Sequence, residues 1–340
     1  MNLVPKFLLF RHFAIYDASL KKFTEKYIPL VFENFPEDHK YLCYLCPICI
    51  INWVMIDKNG YHASSEFTED HYPPENVGGK SKVLVCKKCN NEAGGLYESS
   101  LSDKVAQISF NKRVANSVIK TSSNITNLPG WHHGALNINK DGEIEYQVKN
   151  KGKQKLPGLT DWENSTNNSG KGWQMDITIK KPSEEKVTKS LLKAAYLYCF
   201  SNWGYDFIFS NTGEMFRKVL GGILNYPVKA GWLWLDFQTK VHEGPGIPEG
   251  LCFIHTPKEL QSLIVNLPLV SKDNNYGCIV PILIPSPTKD GEEDIIKVQQ
   301  VLEENPNQVI ALNPVANYLH LKIDDCYNKI WKDLKEQYKV

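Results

Sequence analysis

The 340-residue sequence lacks a marked excess of charge of either sign. Its 39 lysine and arginine residues nearly cancel its 38 aspartate and glutamate residues, which leaves a formal net charge of +1. A chain without a strong overall field does not attract a polyanion over long distances. Any contact with nucleic acid would therefore need a local patch of basic side chains.

Long apolar runs are also missing. No stretch approaches the ~20 consecutive apolar residues of a membrane-spanning helix, and Arg11 and His12 interrupt the N-terminal run too early for a signal peptide. The nine cysteines are an odd number, and disulfide frameworks are typical of much shorter secreted chains. These features predict a cytoplasmic protein that does not enter the membrane.

The length, the composition and the placement of turn-forming residues predict an α+β protein of about two domains. We divide the chain into three parts: an N-terminal segment (1–40), a cysteine-containing module (41–105) and a larger α+β accessory region of unassigned fold (106–340). The N-terminal segment is predicted to contain a strand and a helix and to pack on the module. In the accessory region, alternating residues around Asp141 predict a hairpin, and helical spacing after Pro182 predicts a helix. We also predict a strand over 231–237 and a helix over 324–340.

Five of the nine cysteines fall in one short region. Two Cys-x-x-Cys pairs, Cys46 with Cys49 and Cys86 with Cys89, are separated by a long excursion, a pattern typical of a four-thiolate zinc site. Cys43 forms an overlapping pair with Cys46, but Pro47 favours a tight turn between Cys46 and Cys49, so we assign Cys43 to the core. Four protein thiolates leave zinc no open position, which predicts a structural ion.

The excursion between the cysteine pairs reads as strand, turn, strand and helix. Asp70 and His71 lie in the first extended segment, and the prolines that follow exclude a helix there. Gly78 and Gly79 predict the turn, a short apolar run predicts the second strand, and Asn90 lies near the start of the predicted helix. Zinc would hold the ends of this unit together.

The segment DHYPPENVGG, followed by VLVCKKCNNEAGG, resembles the HNH endonucleases, also called His-Me finger or ββα-metal nucleases. The resemblance extends to their zinc-stapled subgroup, which carries two Cys-x-x-Cys pairs, and it covers about residues 43–100. It implies a small zinc-bound ββα-metal module joined to the larger region. It also implies metal-dependent hydrolysis of DNA phosphodiester bonds.

The same resemblance implies a role for three side chains. His71 would be the general base, and Asp70 and Asn90 would bind a catalytic Mg²⁺ or Mn²⁺ through oxygen. Asn91 would replace Asn90 if the register shifts by one residue. The sequence departs from the family pattern at Ser81, where an asparagine often braces the loop, and at Ala93, where a basic residue is common.

Partners follow from local charge and from the layout of the chain. Lys80, Lys82, Lys87 and Lys88 flank the predicted site and could contact double-stranded DNA, or they could be ordinary solvated lysines. The accessory region could form a homo-oligomer or dock a partner protein. A small nuclease module on a larger region resembles effectors of bacterial antiphage or restriction-type defence. The alternative is a zinc-stabilised nucleic-acid- or protein-binding subunit with a vestigial HNH site.

Overall fold

The computed structural model describes residues 42–57, 60–125, 128–148, 174–237, 247–274, 276–286, 291–305 and 311–314. Within these residues the chain is mixed α and β, as the sequence predicts. The predicted N-terminal segment (1–40) and C-terminal helix (324–340) lie outside the described residues. No helix among the described residues is both long enough and apolar enough to span a bilayer.

Fourteen strands are described, in four antiparallel sheets whose orders are β1-β2-β3, β4-β5, β8-β7-β6-β9 and β10-β13-β12-β11-β14. They are β1 (Leu42–Leu45), β2 (Trp53–Asp57), β3 (Gly60–Ala63), β4 (Phe67–His71), β5 (Lys82–Cys86), β6 (Val118–Ile125), β7 (Leu128–Ile138), β8 (Ile144–Val148), β9 (Met175–Ile179), β10 (Leu235–Asp236), β11 (Gly250–Thr256), β12 (Ser262–Val270), β13 (Gly277–Ile284) and β14 (Ala311–Pro314).

Six α-helices are described in the same residues. They are α1 (Lys87–Ala93), α2 (Ser99–Asn111), α3 (Glu184–Trp203), α4 (Tyr205–Ile208), α5 (Asn211–Leu220) and α6 (Gly291–Glu304). A π-helical turn (Gly94–Glu98) joins α1 to α2, and short 3₁₀ turns are formed by Glu75–Val77 and Lys258–Leu260. The predicted hairpin around Asp141 is confirmed, because β7 and β8 pair antiparallel on either side of it.

Helix α3 is the central helix of the fold. The Ser183 hydroxyl accepts a hydrogen bond from the Lys186 N–H, and Glu184 and Glu185 lie in the first turn, where the helix dipole favours negative charge. The prediction of a helix after Pro182 is thus confirmed. Most of α3 is buried, including a nearly continuous run from Ser190 to Leu197. A helix buried on this scale belongs in the interior of a fold.

The five-stranded sheet supplies most of the remaining core. All eight residues of β13 are buried, which accounts for its continuous apolar sequence GCIVPILI. The predicted strand over 231–237 is mostly wrong, since only Leu235–Asp236 pair as β10. The segment begins as a turn, where Gly231 has a φ of +76° and the Trp232 N–H bonds to the Lys229 carbonyl.

One large hydrophobic cluster includes residues from β1, β4, β5 and α2 together with α3 and the five-stranded sheet. Tyr44 of β1 illustrates the contact, because its ring meets Phe67 and also Phe200 and Tyr205 edge-to-face. The Tyr205 hydroxyl accepts from the Leu45 N–H and donates to the Leu45 carbonyl, at 2.7 and 2.6 Å. The division after residue 105 stays a prediction; in the structure it lies within α2 and the cluster extends across it.

Candidate active site

Four cysteines from two parts of the chain meet at the base of the β4-β5 hairpin. Cys46 and Cys49 lie in the turn after β1, Cys86 ends β5 and Cys89 lies in α1; their sulfur atoms are all within 4.8 Å of one another. The Sγ atoms of Cys49 and Cys86 are 3.9 Å apart, close to the ~3.8 Å edge of a tetrahedron with Zn–S bonds of about 2.3 Å. The predicted ligands therefore form a cluster that could hold a zinc ion. Cys43 is buried in β1, outside this group.

Two of the four cysteines are shifted toward the charge state that zinc requires. Hydrogen bonding with the Cys46 thiol lowers the pKa of Cys86 to about 6, and the same thiol lowers the pKa of Cys49. Burial raises the pKa of Cys46, and although Cys46 lowers the pKa of Cys89, Cys49 and burial together raise it. The thiolate is the form that binds metal. The backbone N–H of Cys86 points at the Cys46 sulfur, at 3.4 Å, and further stabilises negative charge in the cluster.

The hairpin above the cysteines is closed by a proline-glycine loop. Strand β4 pairs with β5 so that Asp70 faces Val83 and His71 faces Lys82. In the loop, a Cβ at Gly79 would lie 1.6 Å from the Pro73 carbonyl oxygen, so only glycine allows this close approach. The predicted turn at Gly78 and Gly79 is confirmed, and it fixes the end of the strand that carries Asp70 and His71.

Asn90 is held over strand β4. Its amide nitrogen donates to the Thr68 hydroxyl at 2.9 Å and to the Glu69 carbonyl at 3.2 Å. Alternate side chains of a strand share one face, so Thr68 and Asp70 lie on the same side of β4. Two predicted metal ligands, Asp70 and Asn90, thus meet the same face of one strand. Both bonds use the amide nitrogen, which leaves the Asn90 amide oxygen for another partner.

Asp70 is buried and already paired with a cation. Only 3% of the residue is exposed, and its carboxylate lies 2.5 Å from the Lys193 ammonium of α3. The same ammonium lies 2.5 Å from the Glu98 carboxylate of the π-turn. Burial raises the pKa of both carboxyl groups, and Lys193 opposes that rise. Two carboxylates share one ammonium, so the buried group has a net charge of −1 when all three are ionised.

His71 differs from Asp70 in its exposure. It is half-buried and follows Asp70 directly, so strand alternation directs the two side chains to opposite faces. The backbone N–H of His71 nevertheless hydrogen-bonds the Asp70 carboxylate. Solvent can therefore reach the imidazole, as it can reach the half-buried Asn90, while the carboxylate of Asp70 is enclosed.

The donor types of Asp70 and Asn90 suit a hard divalent cation, since both offer oxygen. When all three groups are ionised, the net negative charge of Asp70, Glu98 and Lys193 suits it as well. However, among the described residues no group of three or more His, Cys, Asp or Glu ligands is as close-set as the cysteine cluster. Asp70 and Asn90 thus offer oxygen donors of the type that Mg²⁺ or Mn²⁺ prefers, but the described residues show no assembled site for such an ion, and Lys193 already shares the Asp70 carboxylate.

The structure gives the surroundings of Ser81 and Ala93, the two positions at which the sequence differs from the pattern it resembles. Ser81 braces the loop through its backbone, because its carbonyl accepts from the Tyr72 N–H at 3.1 Å. Ala93 is 1% exposed, so a long basic side chain would not fit at its position without rearrangement. Asn91, the substitute for Asn90, lies on α1 and is exposed.

The predicted DNA-contacting lysines form a mixed surface. Lys87 is ion-paired with Glu66 at 2.7 Å, and Lys88 approaches Glu92 at 3.9 Å. Lys80 is exposed, and Lys82 is in β5 but its side chain is outside the described part of the chain. Acidic neighbours therefore offset much of the positive charge that sequence alone suggests near the site.

Sequence analysis missed Lys193 and Tyr196, which bring α3 to the site. The Tyr196 hydroxyl donates to the Pro47 carbonyl between the first two cysteines, at 2.5 Å. A signal for Lys193 was present, because it is the one charged residue in the apolar run LLKAAYLYCF. A lysine at a core position of a buried helix indicates a buried acidic partner, but not which one.

Comparisons of the chain with protein-family models, with curated proteins and with solved structures find no match.

Proposed function

We propose that the chain is a metal-dependent endonuclease of the HNH type that hydrolyses DNA phosphodiester bonds. The observation that carries the proposal is the anchoring of Asn90 to Thr68 and Glu69. It brings an amide from the helix to the strand face that holds Asp70, directly above a cluster suited to zinc. The antiparallel hairpin followed by a helix is the order that a ββα-metal module requires.

Each side chain has a chemical task in this proposal. Asp70 and Asn90 would hold the catalytic Mg²⁺ or Mn²⁺, which when bound would stabilise the negative charge that develops on the phosphate. His71 would accept the proton of the attacking water, a task that suits a histidine open to solvent at the end of a strand. The cysteine cluster would take no part in the reaction and would fix the hairpin to α1.

A plasmid-cleavage assay tests the proposal. The wild-type protein is incubated with supercoiled plasmid and Mg²⁺ or Mn²⁺, beside His71→Ala and the matched variant His62→Ala, which changes an exposed histidine of β3. We expect nicking by the wild type and by His62→Ala, and a fall of about 10²-fold or more in His71→Ala, the usual effect of losing a general base. Equal nicking by wild type and His71→Ala would remove His71 from the mechanism.

The second candidate is a zinc-stabilised nucleic-acid- or protein-binding subunit with a vestigial site. The ion pair between Asp70 and Lys193 favours it, because that carboxylate already has a cation. This candidate predicts no cleavage with any divalent metal. It also predicts either DNA binding that weakens steeply with salt or the binding of a protein partner.

The biological role that we propose rests only on an analogy with proteins that combine a small nuclease module with a larger region. An effector of bacterial antiphage or restriction-type defence would combine the nuclease with a region that oligomerises or docks a partner, and residues 106–340 would have that role. Size-exclusion chromatography with light scattering tests the homo-oligomer directly. Growth of bacteria challenged with phage, with and without the His71→Ala variant, tests the defensive role.

A further inference from the structure

Lys193 lies on α3 and connects that helix to the proposed site, whose residues come much earlier in the chain. Its side chain is 2% exposed, and its ammonium lies 2.5 Å from a carboxylate oxygen of Asp70 and 2.5 Å from one of Glu98. Asp70 belongs to β4, Glu98 to the π-turn and Lys193 to α3. One ammonium on α3 therefore makes ion pairs with both β4 and the π-turn.

The placement is not explained by stability alone. Removing an ammonium from water is costly, and a buried ion pair is often no more stabilising than well-packed apolar residues of similar volume. The residues on either side of Lys193 in α3, Leu192 and Ala194, are apolar and buried, so an apolar side chain would suit this part of the helix. A charged group that gives little net stability can still hold its partners in one orientation.

A second contact fixes α3 to the same module. Tyr196 follows Lys193 by three residues, so the two side chains lie on one side of the helix. The Tyr196 hydroxyl donates to the Pro47 carbonyl, inside the turn that presents Cys46 and Cys49. Helix α3 thus contacts both the turn that carries Cys46 and Cys49 and the strand that carries Asp70.

We infer that Lys193 is a positioning residue for the proposed nuclease: it holds the Asp70 carboxylate in place and weakens its attraction for the divalent cation. This inference rests on the proposed function. An ammonium 2.5 Å from Asp70 repels a second cation, so the metal binds less tightly than Asp70 alone would allow. In return, the carboxylate is confined to the geometry that the reaction needs.

Two variants separate this role from simple structural support. Lys193→Met keeps the length and the apolar stem and removes the charge, whereas Lys193→Arg keeps the charge. For each, plasmid nicking is measured across a Mn²⁺ series, Mn²⁺ binding is measured by calorimetry, and zinc content and circular dichroism report folding. We expect Lys193→Met to retain zinc, to nick about 10²-fold more slowly at saturating Mn²⁺ and to bind Mn²⁺ more tightly than the wild type.

Slower nicking combined with tighter Mn²⁺ binding is a signature that general loosening of the fold would not produce, since loosening weakens binding. We expect Lys193→Arg to stay within about tenfold of the wild type, because the charge remains while the shape of the donor changes. Nicking by Lys193→Met at the wild-type rate in saturating Mn²⁺ would overturn the inference. So would unchanged or weaker Mn²⁺ binding by a folded Lys193→Met.

Glu98→Gln covers the case in which Lys193→Met does not fold. It removes one anchor of the ammonium while the pair with Asp70 remains, and we expect slower nicking at saturating Mn²⁺; an unchanged rate would contradict the inference. If the wild type nicks no plasmid, the proposed function fails by itself. Calorimetry then decides about Lys193: Mn²⁺ binding that is lost in Asp70→Asn and tighter in Lys193→Met supports it, and any other pattern overturns it.

Discussion

Two regions of the molecule are built by different means. The cysteine module, which we define as the described residues from β1 to α2, brings together four thiols, two buried and two half-buried, and contains a buried carboxylate. The scaffold, which we define as α3, α4, α5 and the five-stranded sheet, has an interior that is almost entirely apolar. The module therefore depends on specific polar partners, while the scaffold depends on burial of apolar surface.

The two regions should therefore differ in how well they tolerate substitution. Apolar packing tolerates exchange of similar side chains, whereas a metal cluster or an ion pair fails when one member is lost. Lys193 is the charged residue that the scaffold contributes to the module. Each prediction below changes one region and asks whether the other is affected, beginning with the largest effect.

Loss of a cluster cysteine should have the largest effect and should be confined to the module. We expect Cys89→Ser to lose zinc and to unfold the β4-β5 hairpin with α1, because structural zinc supplies about 10 kcal/mol or more in comparable small sites. Metal analysis, limited proteolysis and circular dichroism measure the outcome. Cys43→Ser is the control outside the cluster, at a cysteine that is more buried than the half-buried Cys89.

Retention of full activity by a soluble, zinc-free Cys89→Ser protein would contradict the structural assignment of the cluster. Loss of zinc from Cys43→Ser would instead assign the overlapping pair, Cys43 with Cys46, to the metal. The two variants thus test both readings of the sequence CYLCPIC.

A cavity in the scaffold should lower stability without changing the metal content. Phe253 is fully buried in β11, and Phe253→Ala should reduce the free energy of unfolding by about 3–5 kcal/mol. Urea denaturation measures the loss, and the folded fraction should keep the wild-type amount of zinc. Ile223→Ala, at a residue 79% exposed, should stay within about 0.5 kcal/mol. Zinc loss from folded Phe253→Ala would show that the two regions are not separable in this way.

The contact between the regions should respond to a single hydroxyl. Tyr205→Phe removes a group that bonds both the N–H and the carbonyl of Leu45, and we expect a loss of about 1–3 kcal/mol. Tyr226→Phe is the control away from the module, because its hydroxyl donates to the Leu283 carbonyl of β13 in the scaffold. Urea denaturation of both variants should show the larger loss for Tyr205→Phe; the reverse order would mean that the contact adds little.

Sequence reasoning was most successful where the signal is local. The four cysteines, the glycine turn, the hairpin around Asp141 and the helix after Pro182 follow from spacing and turn residues, and the structure contains all of them. The strand over 231–237 was overpredicted, because apolar residues alone do not show that a partner strand is available.

The environment of the site could not be predicted, because it depends on tertiary contacts. Nothing near Asp70 in the sequence indicates that Lys193 will pair with it or that Glu98 will join them. Nothing near Lys87 indicates that Glu66 will offset its charge. The positions of Asp70, His71 and Asn90 on a strand and a helix were readable from sequence. Their burial and their ionic partners were not.

We expect the smallest change in stability at the surface ion pair between Lys87 and Glu66. A substitution there tests whether the lysines near the site contact DNA. Glu66→Gln should alter the free energy of unfolding by at most about 1 kcal/mol, because both partners are exposed and surface pairs contribute little. It leaves Lys87 free to meet a phosphate. If the lysines contact DNA, binding should tighten and should weaken more steeply with salt, since each added phosphate contact raises the salt slope by about 0.9. Fluorescence anisotropy with a labelled duplex across a salt series measures both quantities.

Glu304→Gln, an exposed change on α6 that alters the net charge equally, controls for net charge. An equal gain in the two variants would mean that overall charge, and not the face near Asn90, governs binding, and the site would lose its proposed substrate.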